Sequence, residues 1–142
     1  VRLSAGQTLE RLGEHAEARR SWRALINTPN AEAETPAEFG RALLYIGRQE
    51  VRRGQHDNAR KILTHARDIG RRTGNWLLYA PALIALLEDR IRHDDLPGSA
   101  ALLREARALA QIGGKQAVTA VEGMVGYLKG KWGDAAVEAA LA

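Results

Sequence analysis

One short pattern, a polar turn that ends in a small residue and opens a new amphipathic stretch, occurs four times in the chain. The turns occupy residues 13–18, 54–59, 94–99 and 130–135. The small residues that close them lie 41, 40 and 36 positions apart: Ala18, Ala59, Ser99 and Ala135. Repeats of this length are typical of stacked helical hairpins, because a single hairpin cannot bury its apolar face alone. The pattern therefore predicts an all-α chain.

Local start and stop signals divide the chain into four helix pairs. Thr35, Pro36 and Glu38 combine a capping hydroxyl, a proline suited to the first helical position and a glutamate that can reach back to the cap. Gly54 follows the last apolar turn of that helix, where a glycine ends a helix readily. The predicted pairs are 1–12 and 15–27, 36–53 and 56–70, 78–93 and 97–111, and 115–129 and 132–142. We expect a surface loop at 27–34 and a helix that starts or bends at Pro81.

The length and composition fit one folded domain. The 142 residues are 45% hydrophobic and 27% charged, a balance that disfavours disorder. The longest apolar run, residues 76–87, is too short for a membrane span, which needs about 20 residues. No signal peptide is visible, so we expect a cytoplasmic chain without a membrane partner. Both ends look cut, which predicts a fragment of a longer protein with a single domain at 1–142 and units at 1–34, 35–75, 76–114 and 115–142.

Residues that carry catalysis or bind metals are missing from the sequence or occur in the wrong pattern. The chain has no cysteine, which excludes disulfides, thiolate metal sites and a cysteine nucleophile. Its four histidines lack the partner spacing of a metal site. The segment around Lys115 lacks the first glycine and the hydroxyl residue of a phosphate loop. We therefore expect no enzyme activity, no cofactor and no metal.

The charge leaves the type of partner open. A net charge of +4 and a pI near 9.8 raise the possibility of nucleic-acid binding. The arginines, however, alternate with acidic and apolar residues at helical spacing, so solvated helix faces explain most of them. An acidic protein partner stays possible, and a nucleic-acid-binding helical repeat is the less favoured alternative.

The repeats share a pattern of small and large apolar positions across each predicted hairpin. In the second unit these positions hold Leu43, Ile46, Gly47, Ala59, Leu63 and Ala66. The first unit has Ala5, Gly6, Leu9, Ala18, Trp22 and Leu25, and the third has Leu83, Leu86, Leu87, Ser99, Leu103 and Ala106. The fourth is looser, with Gly123, Ala135 and Ala139. This pattern resembles the tetratricopeptide repeat (TPR), although these units are longer than the usual length of about 34 residues.

The resemblance implies a right-handed α-solenoid of about four antiparallel helix pairs. Long units rich in Ala, Leu and Arg are similar to the TPR-like sensor domains of maltose-regulator-like bacterial transcription regulators, which are STAND ATPases of the LuxR type. The implied function is a non-catalytic module that binds a protein or peptide, with an acidic partner as one option, or a small-molecule inducer. A structural scaffold or oligomerisation segment that forms homo-oligomers by end stacking is the alternative.

In a TPR-like array, the first helix of each unit lines the concave surface. Arg41, Arg48 and Arg52 recur at spacings of seven and four, so they share one helix face and can offer forked donors to carboxylates. A merely solvated arginine stripe explains the same spacing. The predicted partner-binding residues are Arg11, Arg41, Leu44, Arg48, Val51, Arg52, Ile84, Glu88, Ile91, Arg92, Met124 and Tyr127. The projection also includes Leu3, Gln7 and Ala120, whereas Trp22, Trp76 and Trp132 are expected to pack in the core or between units.

Overall fold

The structure, a computed structural model, describes the backbone of residues 5–142 and the side chains of residues 16–142. Within this part the chain is all-helical and contains no β-strand. The helices are α1 (Ala5–Ile26), α2 (Ala31–Glu34), α3 (Pro36–Arg52), α4 (His56–Thr73), α5 (Trp76–Arg92), α6 (Leu96–Gly113), α7 (Lys115–Trp132) and α8 (Asp134–Leu141). None of the described helices is both long and apolar enough to cross a membrane.

The helix ends follow local chemistry. The α4 helix ends at Thr73 because Gly74 adopts the left-handed conformation, with φ at 67°, and its N–H donates to the carbonyl of Arg71. Asp95 caps α6 by accepting the N–H of Gly98 at 2.8 Å. That hydrogen bond lowers the pKa of the Asp95 carboxyl, with a further contribution from Arg90.

Two apolar clusters form the core, and α5 contributes to both. The first joins α3, α4 and α5 through side chains that include Phe39, Leu43, Leu63, Ile69 and Leu78. The second joins α5 to α6, α7 and α8 through side chains that include Leu83, Leu103, Val121, Leu128 and Val137. Each cluster draws on successive helices, so every helix from α3 to α8 buries its apolar face against chain neighbours.

Two glycines allow these helices to approach closely. A Cβ added at Gly47 of α3 would lie 2.7 Å from the side chain of Leu63 on α4. A Cβ added at Gly70 of α4 would lie 2.8 Å from the backbone of Tyr79 on α5. Both distances are far below van der Waals contact. The packing of α4 against both neighbours therefore depends on the absence of these two side chains.

The first predicted helix pair is wrong, because α1 runs without interruption from Ala5 to Ile26. The expected turn at 13–15 lies inside this helix. Gly13 is followed by Glu14, Ala16 and Glu17, and a single glycine among such good helix formers lowers helix stability by only about 1 kcal/mol. The predicted loop at 27–34 also contains the short helix α2, whose first residue, Ala31, is buried.

Two further boundaries differ from the prediction. The α5 helix starts at Trp76 and includes Pro81. Proline lacks the N–H that would donate to the carbonyl of Leu77, and Leu77 is 86% exposed, so water can satisfy that carbonyl. In the last pair, α7 continues through Gly130 and ends at Trp132. The break lies at Gly133, whose φ of 91° a residue with a side chain rarely adopts.

The three tryptophans are half-buried, and each packs against other side chains of the described chain. Trp76 and Trp132 pack against the second core cluster. The indole N–H of Trp132 donates to Asp94 Oδ1 at 2.9 Å, which ties the end of α7 to the turn between α5 and α6. The ring of Trp22 lies 6.5 Å from that of Tyr45 and so links α1 to α3.

Candidate partner-binding groove

Nine of the twelve predicted partner-binding residues line two adjoining cavities on α3, α5 and α7. The α5–α7 cavity has a volume of about 630 Å³. Its lining comprises Ile84, Leu87, Glu88, Ile91, Arg92, Ala120, Gly123, Met124 and Tyr127. The α3–α5 cavity has a volume of about 310 Å³ and is lined by Arg48, Val51, Arg52, Pro81, Ile84, Ala85, Glu88 and Arg92. Because Ile84, Glu88 and Arg92 line both cavities, we treat them together as the groove.

The α5–α7 cavity exists because α5 and α7 do not pack closely against each other. Among the described helices, α6 packs against both of them, whereas α5 and α7 are absent from the pairs in close backbone contact. On α7, Ala120 and Gly123 face the cavity with little or no side chain. A Cβ added at Gly123 would meet nothing within 4 Å. The separation of the two helices and these small residues together leave the volume open.

The wall of this cavity is mostly apolar. Leu87 is buried and Ile91 and Met124 are half-buried against the second core cluster. Ile84 and Tyr127 are 43% and 64% exposed and stand at the edge of the cavity. They are two of the four large apolar side chains that are most exposed in the described part of the chain. The groove therefore offers apolar surface that another molecule can cover.

Three of the eight residues that line the α3–α5 cavity are arginines. Arg48 and Arg52 lie one turn apart on α3 and are exposed. Neither makes an ion pair with any residue whose side chain the structure describes. Val51 lies beside them and is half-buried against the first core cluster. Glu88, on the wall that both cavities share, likewise makes no ion pair within residues 16–142. The groove thus holds two arginines that make no ion pair within residues 16–142.

Arg92 differs from these two arginines because it is tied to a buried acid. Its Nη2 lies 3.6 Å from Asp89 Oδ1 and 3.4 Å from His56 Nδ1. Arg60 Nε donates to Asp89 Oδ2 at 2.8 Å. Burial alone would raise the pKa of Asp89, but the hydrogen bond and charge of Arg60, with smaller contributions from His93 and Arg90, lower it on balance. Arg92 therefore lines the groove as a member of the ion-pair cluster around Asp89.

Three predicted groove residues are not brought into either cavity. Leu44 is 8% exposed and packs in the first core cluster, because it lies next to Leu43 on the side of α3 that faces the core. Arg41 shares the α3 face of Arg48 and is exposed, but it lines neither cavity. The side chain of Arg11 lies outside the described residues, as do Leu3 and the side chain of Gln7.

Sequence reasoning missed several groove residues. Leu87 fits the repeat pattern as a core position, and it reaches the floor of the α5–α7 cavity as well as the core. Pro81 and Ala85 line the α3–α5 cavity and were not predicted to do so. Gly123 carried a usable signal, since a glycine on an exposed helix face leaves space that a larger residue would fill.

The structure also contains a repeated buried carboxylate that the sequence analysis did not identify. Glu50 near the end of α3 is 5% exposed, and Arg23 of α1 and Arg53 lie 3.2 and 3.5 Å from its Oε1. Asp89 near the end of α5 is 4% exposed and has the same surroundings in Arg60 and Arg92. The two acids lie 39 positions apart, and each is followed three residues later by arginine. The ends of α3 and α5 thus share one arrangement, a buried acid between an arginine of an earlier helix and an arginine three residues later.

Comparison with protein-family models, with curated proteins and with solved structures gives no significant match. Among the side chains of residues 16–142, no group of three or more His, Asp or Glu could hold a metal ion. The geometry of the groove is therefore the basis on which a function can be argued.

Proposed function

We propose that this chain is a non-catalytic, TPR-like module that captures a protein or peptide partner in the groove. In this proposal the helices form a right-handed α-solenoid in which the pairs α3–α4, α5–α6 and α7–α8 follow the single helix α1, with α3, α5 and α7 on the inner wall. The single observation that carries the proposal is that residues projected from the repeat register line two adjoining cavities, although they come from three helices.

The composition of the groove favours a binding role. Its larger cavity lies within the range of about 300 to 1,000 Å³ that is common for ligand sites. Covering Ile84 and Tyr127 removes apolar surface from water, which is favourable at about 25 cal/mol per Å². Arg48 and Arg52 can bind a partner's carboxylates without first breaking an ion pair to any described side chain. A partner can therefore form these contacts with little rearrangement of the chain.

The repeated carboxylates support the solenoid. Arg23 of α1 reaches the acid of α3, and Arg60 of α4 reaches the acid of α5. In a stack of equivalent units, each unit uses the same kind of contact to hold the next one. Small rotations between units would then transmit the capture of a partner along the stack, as expected for the sensor or interaction segment of a bacterial transcription regulator in the cytoplasm.

A test uses a random peptide display library selected on the wild-type chain. The selected peptides are titrated against Arg48→Glu/Arg52→Glu and against a control, Lys61→Glu/Lys115→Glu, which reverses two exposed cations outside the groove. We expect about a tenfold or greater loss of affinity in the groove variant and less than about a twofold change in the control. Equal affinity for both variants would refute binding in the groove.

A second candidate function is end-to-end assembly of the chain as a scaffold. Leu77 and Ile112 are each 86% exposed, and Ile112 lines a further cavity of about 460 Å³ with Trp76 and Leu109. Sedimentation equilibrium separates the two candidates. A concentration-dependent dimer that Leu77→Ser and Ile112→Ser abolish would favour assembly, whereas a monomer at every concentration favours the binding module.

A further inference from the structure

The geometry points to a bipartite ligand for the groove, which deepens and rests on the proposed function. We infer that the partner is an acidic protein segment in which one large apolar side chain enters the α5–α7 cavity and nearby carboxylates bind Arg48 and Arg52. The residue between the apolar anchor and the acids is neutral or basic, because it passes Glu88.

The apolar half of the inference follows from the shape and lining of the α5–α7 cavity. Ile91 and Met124 form apolar walls, and Ala120 and Gly123 contribute almost no side-chain volume. The exposed ring of Tyr127 stands at the edge. An aromatic or branched aliphatic side chain would cover this apolar surface, whereas a charged group placed against Ile91 and Met124 would lose water.

The acidic half follows from charge complementarity. Several arginines elsewhere in the described part of the chain, such as Arg60, Arg90 and Arg107, already contact carboxylates of the chain itself. Arg48 and Arg52 do not, within residues 16–142. Two guanidinium groups one helical turn apart can each hold a carboxylate through paired N–H donors. A segment with two acidic residues therefore matches this part of the groove.

Glu88 determines which kind of ligand residue can lie between the apolar anchor and the acidic residues. Its carboxylate lies on the wall shared by both cavities and makes no ion pair with a described side chain. A ligand carboxylate at this point would be repelled, whereas a neutral or basic residue would not. The same acid and the adjoining apolar cavity oppose a nucleic-acid backbone, which would bring phosphates along the whole groove. The arrangement therefore favours a protein segment.

The experiment measures fluorescence anisotropy with a series of fluorescein-labelled peptides. Each peptide carries one Phe and a Glu-Glu pair, separated by a Ser spacer whose length varies across the series. Matched peptides replace the Phe with Ala or the Glu pair with Gln, and one further version carries Lys-Lys. We expect one spacer length to bind best, and either replacement to weaken that peptide by about tenfold.

Two variants separate the two halves. Gly123→Leu places a side chain in the apolar cavity, where a Cβ at this position meets no other atom within 4 Å. This variant should therefore remove the effect of the Phe replacement and retain the effect of the Glu replacement. Arg48→Glu/Arg52→Glu should remove the effect of the Glu replacement and retain the effect of the Phe replacement. This variant should also bind the Lys-Lys peptide more tightly than the Glu-Glu peptide. Lys61→Glu/Lys115→Glu is the control and should behave as wild type. Circular dichroism and thermal unfolding verify that each variant is folded.

The outcomes distinguish this inference from the proposed function. If library-selected peptides require Arg48 and Arg52 but the series shows no dependence on the Phe or on Gly123→Leu, the bipartite inference is overturned and groove binding stands. Binding that any acidic peptide or a single-stranded DNA oligonucleotide reproduces overturns it in favour of general electrostatic attraction. If neither the library nor the series responds to the groove variants, both proposals fail.

Discussion

Several arginines of α4 and α6 differ in one respect from Arg48 and Arg52 of α3, although their side chains are chemically identical. Arg60, Arg71 and Arg107 contact carboxylates on other helices at 2.8 to 2.9 Å. Arg48 and Arg52 make no such contact with any side chain in residues 16–142. The first set connects helices, whereas the second set keeps its N–H donors unused as far as the described side chains extend. The net charge of a helical repeat therefore says little about binding until the paired arginines are separated from the unpaired ones.

The paired set includes a small network around Glu105 of α6. Arg71 Nη1 donates to Glu105 Oε1 at 2.8 Å, and the Tyr79 hydroxyl donates to Oε2 at 3.0 Å. Burial raises the pKa of the Tyr79 hydroxyl well above its usual value, and the charge of Glu105 adds to this effect. The hydrogen bond to Glu105 also raises the pKa of Arg71. One carboxylate thus holds α4, α5 and α6 together.

The largest contrast is expected from removing one arginine of each kind. Arg60→Met leaves the buried carboxylate of Asp89 without its closest partner, so we expect the free energy of unfolding to fall by about 3 kcal/mol. Arg48→Met removes an exposed cation without an ion pair to a described side chain and should change it by less than about 0.5 kcal/mol. Urea unfolding followed by circular dichroism measures both values. Similar losses in the two variants would remove the distinction between the two sets.

Acidification should affect the paired set next. The pKa of Asp89 is lower in the folded chain than its usual value. The unfolded chain therefore binds more protons as the pH falls, and the stabilisation from Asp89, complete above the usual carboxyl range, is lost as the pH drops through the folded pKa. Asp89→Asn should be less stable at pH 7 and show a flatter dependence between about pH 5 and pH 2. Parallel pH profiles for the variant and wild type would contradict this expectation.

A smaller effect is expected from the Glu105 network. Tyr79→Phe removes one donor to the carboxylate but leaves Arg71 in place, so we expect a loss of about 1.5 kcal/mol in the free energy of unfolding. Tyr127→Phe is the matched control, because that residue is 64% exposed in the groove. Thermal unfolding by calorimetry measures both. A loss in the control as large as in Tyr79→Phe would show that the network adds nothing specific.

The smallest effect is expected at the surface. Arg107 Nε and Nη2 donate to Glu122 at 2.9 Å each, and this pairing lowers the pKa of Glu122. Both side chains are substantially exposed, so a double-mutant cycle with Arg107→Gln and Glu122→Gln should give a coupling of about 0.5 kcal/mol. The coupling should shrink in 1 M salt, which screens exposed charges. A salt-independent coupling would mean that this pair behaves like the buried ones.

Much of the helical arrangement could be predicted because its signals are local. Pro36 begins α3, Gly54 follows its end, and the start of α4 at His56 matches the prediction. The breaks expected at Gly13 and Gly130 failed because a glycine ends a helix only where the chain must reverse, and tertiary packing decides that. Gly133 rather than Gly130 takes the required backbone conformation.

The groove could be predicted in part for the same reason. Helical periodicity placed Arg48, Ile84 and Met124 on faces that do meet at the cavities. Leu44 was wrongly predicted to line the groove, because on α3 the buried side and the groove side are separated by only a small rotation about the helix axis. Which arginines lack an ion pair among the described side chains could not be predicted, because a partner such as Asp89 for Arg60 lies 29 residues away in the chain. Such pairings exist only once the helices are stacked.

The position of α6 behind the α5–α7 cavity means that the width of the pocket is controlled from a place no ligand touches. Buried alanines of α6, including Ala100, Ala106 and Ala110, set how far that helix sits from its neighbours. Replacing one of these alanines with a larger residue would change the spacing between α5 and α7, which form the two walls of the cavity. Homologous chains could therefore acquire different ligand preferences while every pocket-lining side chain stays the same.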